Sequence, residues 1–120
     1  MAELNTLTIT KLSTTDSVDM KTAAATTLYT VPVGKVAYIT HVVVRDPSAS
    51  MTGGTEYDFT TWKQDVDLSS LTTLGTDYIV LDCNNTKYTE QVAGTAFQIT
   101  VVTGTTAACT ASIDVFGYLV

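Results

Sequence analysis

An all-β fold is what this chain predicts: an antiparallel sandwich of about eight strands, jelly-roll-like, with an extended N-terminal arm. Three observations carry that expectation. Threonine supplies 25 of the 120 residues, and its branched Cβ suits a pleated sheet while its hydroxyl can face water. Leu28 to Val44 spells strand, tight turn, strand, with Pro32 setting a turn φ and Gly34 giving the freedom that the return needs. Short segments of period-two alternation then recur between turn signals, with no helix of substance, which is the pattern of a sandwich or barrel. Paired apolar faces point to the jelly roll. An immunoglobulin-like sandwich fits less well, because the single Trp, Trp62, precedes both cysteines.

The elements follow in order. Residues 1–22 read as an arm or edge strand and residues 23–120 as a single β-sandwich domain. In the arm, Leu7 to Lys11 alternates well enough for a short strand, and Ser13 to Lys21 is polar and expected to be a loop. The arm either completes the domain's own sheet or crosses to a neighbour. Thr26 to Val31 is the first strand of the domain and Val36 to Arg45 the second. On the second, strict alternation sets Val36, Tyr38, Thr40, Val42 and Val44 on one face and Ala37, Ile39, His41, Val43 and Arg45 on the other. Asp46 to Ser50 and Gly53-Gly54 are breaks. Thr55 to Lys63 is expected as one strand, with Tyr57 and Phe59 facing a core and Glu56, Asp58 and Trp62 on the other side.

Leu68, Leu71 and Leu74 are spaced by three between Asp67 and Gly75, which suits either a single helical turn or a loop pinned to the core by leucines. Thr76 to Cys83 is a strand, Asn84-Asn85 a turn, and Thr86 to Val92 a short polar strand ended by Gly94. Ala96 to Thr103 and Ala107 to Leu119 complete the set, and on the last strand Cys109, Ala111, Ile113, Val115, Gly117 and Leu119 share a side.

Composition narrows the function. Hydrophobic residues make up 45% and charged residues 15%, which is a globular balance and not a disordered one. Six basic residues against 12 acidic ones give a net charge of -6. The basic residues Lys11, Lys21, Lys35, Arg45, Lys63 and Lys87 are scattered along the chain, so direct nucleic-acid binding is not expected. No run approaches a membrane span and the first residues do not resemble a signal peptide, so synthesis in a cytoplasm is expected. Cys83 and Cys109 both fall in strands and are read either as two small buried residues or as a pair.

No catalytic, cofactor-binding or metal-binding residue is assigned, and an enzyme is not expected. His41 is the only histidine and suits a structural or contact role better than a base. Glu56 with Asp58, and Asp65 with Asp67, are carboxylate pairs at a spacing any strand provides, and neither belongs to an EF-hand pattern. Gly53-Gly54 and Gly94 are turns, not phosphate loops. The aromatics Tyr29, Tyr38, Tyr57, Tyr78, Tyr88, Tyr118 and Trp62 fill a core or subunit contacts, or else line a sugar platform.

Tyr29-Thr30-Val31-Pro32-Val33-Gly34-Lys35 with its long following strand, Gly75-Thr76-Asp77-Tyr78 and the ending Asp114-Val115-Phe116-Gly117-Tyr118-Leu119 resemble segments of small virion proteins of tailed bacteriophages. The resemblance is to the head decoration, or cement, proteins. It implies a small β domain without active-site residues or cofactors, usually a homotrimer, bound to the major capsid protein on the head surface and bridging capsomers after head expansion. The polar arm has no identified counterpart in that family. Related patterns occur in tail and fibre proteins, so a receptor- or glycan-binding tail module is the alternative.

Overall fold

A computed structural model describes residues 8–82 and 89–120. Among them the chain is entirely strands and loops, with no α-helix. The strands are β1 (Thr10–Asp19), β2 (Ala25–Thr30), β3 (Ala37–Arg45), β4 (Glu56–Phe59), β5 (Lys63–Val66), β6 (Tyr78–Asp82), β7 (Thr89–Gln91), β8 (Ala96–Thr103) and β9 (Thr110–Leu119). One sheet runs β1-β9-β3-β6, with β7 pairing β3 beside β6, and the other runs β2-β8-β4-β5. Every pairing is antiparallel. With β7 set aside, successive pairs alternate between the sheets: β1 with β9, β2 with β8, β3 with β6, β4 with β5. That winding is the jelly roll.

The core lies between the sheets. Tyr57, Phe59, Phe97, Ile39, Ile99, Ile113, Met20, Met51 and Leu68 are fully buried there. Trp62 meets Phe59 and Phe97 edge-on, at ring-centre distances of 5.9 and 6.0 Å. Both polar handles in this aromatic cluster are answered. Trp62 Nε1 donates to the Ile39 carbonyl at 3.0 Å, and the Tyr57 hydroxyl donates to the Met20 carbonyl at 2.8 Å. Each bond ties the β4–β5 sheet to the opposite one. Among the described residues no buried side-chain nitrogen or oxygen lacks a partner, as a buried polar group requires.

Three elements differ from expectation. The segment expected as a loop from Ser13 is most of β1, which pairs β9 from Thr10 to Asp19. Its polar residues suit an edge: the Ser13 hydroxyl caps the Leu28 carbonyl at 2.8 Å across the seam between the sheets, while Thr14 and Asp16 face outward in solvent. The single strand expected over Thr55 to Lys63 is a hairpin. The chain turns at Thr60-Thr61, Trp62 N–H donates to the Phe59 carbonyl at 3.0 Å, and Thr61 adopts a φ of 48°. That reversal swings Trp62 from the outer face into the core.

The third difference is in β3. A register break between Ile39 and His41 leaves Thr40 as an extra residue, a β-bulge. Its hydroxyl bonds the Phe116 carbonyl at 3.2 Å. The bulge shifts the alternation, so that Ala37, Ile39, Val42 and Val44 face the core together while Tyr38, His41, Val43 and Arg45 face outward. In the leucine-spaced loop, Leu68 and Leu71 are buried and Leu74 is exposed, and the loop holds no helix. The Asn84-Asn85 turn and Cys83 lie outside the described residues.

Candidate interaction surface

The two outer faces of the sandwich have opposite chemistry. On the β1-β9-β3-β6 sheet the bulge at Thr40 brings the outward side chains of β3 and β9 into cross-strand rows. Tyr38 stacks on Tyr118 with ring centres 5.2 Å apart, and His41 stacks on Phe116 at 4.7 Å. Such aromatic pairs stabilise a sheet by a few tenths to about 1 kcal/mol each. Val43 continues the outer row of β3, and its partner Val80 on β6 is exposed, as is Tyr78 beside Arg45.

The charges around Arg45 answer one another. Arg45 Nε donates to Asp114 at 2.9 Å and its Nη1 to Asp46 at 2.7 Å, while the Thr14 hydroxyl donates to Asp114 at 2.8 Å. Burial works to raise the Asp114 carboxyl, but the hydrogen bonds from Arg45 and Thr14 and the nearby cationic charge outweigh it, so its pKa lies below the ordinary value. The same bonds hold the guanidinium above its own. The result is an aromatic and aliphatic sheet face whose central charges are already paired.

The outer face of β2-β8-β4-β5 carries Thr27, Gln98 and Thr100, flanked by carboxylates. Here the β4–β5 hairpin does what a single strand could not. It folds Asp65 back against Glu56 and Asp58, so that one oxygen of each lies within 4.8 Å of the others. Asp67 stays apart and accepts from Ser69 N–H at 2.9 Å. Asp58 accepts from the Asp65 backbone N–H at 3.0 Å. A hydrogen bond with Asp65, partial desolvation and the charges of Asp65 and Asp58 raise the Glu56 carboxyl above its usual value. Carboxylates so placed ease their repulsion by holding a proton, and three of them on a surface, two half-buried and one exposed, do not by themselves make a metal site.

The other residues singled out in the sequence are accounted for structurally. His41 is stacked on Phe116, with Nδ1 3.0 Å from the Thr40 hydroxyl. Tyr57 and Trp62 are core residues, and burial first among several causes pushes the Tyr57 hydroxyl up to about 12. Cys109 is a buried free thiol directed at the Ala49 carbonyl, 3.3 Å away; Cys83 and Tyr88 lie outside the described residues. Gly53, with a φ of 90°, and Gly94, with a φ of 83°, are turn residues. Sequence reading misses the aromatic rows, whose only available signal is the pairing of His41 and Tyr38 with the Phe116-Gly117-Tyr118 ending, and that pairing depends on a bulge that alternation does not reveal.

No family model matches this chain, and no curated protein or solved structure matches it either.

Proposed function

We propose that this chain is a structural protein of a tailed-phage virion, a head decoration protein that acts as a homotrimer and stabilises the expanded shell by bridging neighbouring capsid subunits. The observation that carries this reading is the outer face of the β1-β9-β3-β6 sheet. His41 on Phe116, Tyr38 on Tyr118, Val43, Val80 and Tyr78 form a mostly uncharged surface rich in the aromatic residues that interfaces favour. Its one cluster of charge, at Arg45, is matched within the molecule, so docking would not strand an unpaired guanidinium. The resemblance of the Tyr29–Lys35 segment and of the chain's ending to cement proteins supports the same reading. Weak contacts repeated over a shell gain avidity without any single strong site.

The glycan-binding alternative calls for Trp62 exposed together with several tyrosines, and Trp62 is in the core. Co-sedimentation with expanded, undecorated heads and with unexpanded heads tests the proposal. Binding confined to expanded heads, weakened by Phe116→Asp, is the expected result. Binding to neither shell, with saturable binding on a glycan panel, overturns it.

A further inference from the structure

We propose that the edge of β6 that no strand covers among the described residues is a self-pairing site, where two copies of this chain join antiparallel about a two-fold axis at Val80. The two sheets present five outer strands: β1, β6 and the three-residue β7 on one, β2 and β5 on the other. An exposed edge invites pairing with another chain unless it is bulged, charged or very short. β1 is interrupted twice in register, has Ser17 at a φ of 55° and carries Lys11, Asp16 and Asp19. β2 is bulged between Thr27 and Tyr29. β5 has four residues, with Lys63 and an Asp65 at a φ of 56°.

β6 is five residues long, and its one charged side chain, Asp82, stands at its end, where Lys63 Nζ also reaches the Asp82 carbonyl at 3.3 Å; the stretch before it is open. β6 holds an unbroken register with β3 from Tyr78 to Asp82. It carries no charge from Tyr78 to Leu81, and β3 is its only strand partner among the described residues. Tyr78 and Val80 are exposed on its outer side, at 67% and 46%. Of these outer strands, it alone combines an apolar stretch with a regular register.

The strand is also complementary to itself. With the axis at Val80, Tyr78 faces Asp82 of the second copy, Ile79 faces its Leu81, and Val80 faces its own counterpart. Ile79 and Leu81 point to the core side, so the half-buried Ile79 gains an apolar cover from the second copy. On the outer side one row reads Arg45, Tyr78, then Asp82 and His41 of the second copy. The two Asp82 residues then stand four positions apart along the strands, about 13 Å at the usual strand rise, beyond the screening length of roughly 8 Å. Moving the axis to Asp82 would set those carboxylates face to face. The contact is isologous and closes at two copies. It leaves other surfaces for a three-fold contact and doubles the aromatic face without turning it.

Cysteine scanning in a Cys83→Ser background tests the pairing in solution. Val80→Cys is expected to oxidise to a covalent dimer at twice the 12.8 kDa chain mass. Val102→Cys, equally exposed but on β8 of the other sheet, is expected to stay uncrosslinked. Tyr78→Cys and Asp82→Cys should each remain uncrosslinked alone and crosslink when mixed, which reads the register. Val80→Cys that stays unlinked, or links no faster than Val102→Cys, overturns the proposal. Should Val80→Cys fail to fold, the mixed Tyr78→Cys and Asp82→Cys pair decides: a crosslinked heterodimer supports the pairing, and its absence overturns it.

Discussion

The Arg45 guanidinium meets the Asp114 carboxylate twice, at 2.9 Å from Nε and 3.3 Å from Nη2, although the two residues are not opposite each other. Arg45 lies across from Ser112 and Asp114 across from Val43, so the pair is diagonal and pins β3 to β9 on the outer face. Asp114 is the less exposed partner, with 10% of its side chain open against 32% for Arg45. A carboxylate this covered, receiving Arg45 and the Thr14 hydroxyl, contributes more than an exposed surface pair.

Asp114→Asn is therefore expected to cost about 1.5–3 kcal/mol at neutral pH, the range for hydrogen bonds to charged groups. The folded pKa of Asp114 is depressed below 3.8. Its stabilisation is complete above that unfolded value and is lost as pH falls through the folded one. Urea unfolding across that acid range should show the gap between the wild type and Asp114→Asn closing. A gap constant with pH would mean that the charge contributes nothing.

Glu56 has the opposite sign. Its folded pKa is raised above 4.5 by Asp65, desolvation and Asp58, so the folded state binds the proton more tightly and stability falls as pH rises through that raised value. Glu56→Gln keeps a donor for Asp65 and removes one charge. It should be at least as stable as the wild type at neutral pH, and its unfolding midpoint should lack the component that improves on acidification.

Alternation carries much of the fold. Ala96–Thr103, the inward row from Cys109 to Gly117 and the Tyr78–Leu81 alternation are legible because burial there repeats every second residue. Two of the failures share one cause: single residues that shift the period without announcing it. The turn at Thr60-Thr61 contains no Gly, Pro, Asn or Asp, and a β-branched residue at positive φ is unusual, so alternation alone puts Trp62 on the wrong face. Thr40 is a bulge in a run of β-branched residues, any of which could have been the extra one. β1 buries almost nothing but Val18, which leaves its strand character without a hydrophobic period. The acidic trio is half legible: Glu56 and Asp58 follow from alternation, and the approach of Asp65 needs the hairpin.

Trp62 offers a direct check on that hairpin. Its indole is 6% exposed and its N–H satisfies the Ile39 carbonyl beside the β3 bulge. Trp62→Phe keeps an aromatic ring and removes the donor, so a loss of about 1–3 kcal/mol is expected from the stranded carbonyl. Trp62→Ala adds a cavity between Phe59 and Phe97 and should cost about 3–5 kcal/mol. As the only tryptophan, it should emit at short wavelength in the native protein and shift red on unfolding. Native emission at the wavelength of free tryptophan in water would refute the buried placement.

Gly117 and Gly34 separate two reasons for glycine in one β protein. Gly117 sits near the C-terminal end of β9, between Thr10 and Ile39. A Cβ there would run into the Tyr38 carbonyl oxygen and the Ile39 backbone. The obstacle is main chain at the β3 bulge, where neither strand can yield without breaking the ladder. Gly117→Ala is expected to cost about 3 kcal/mol, the upper part of the usual range for overpacking. Gly34 has open space around it but a φ of 78° at the Pro32–Lys35 turn, so Gly34→Ala should cost only the left-handed penalty of about 1–2 kcal/mol. Denaturant midpoints of the two variants compare these costs. A loss at position 34 as large as that at 117 would show that the turn, and not the β9–β3 approach, is the tighter constraint.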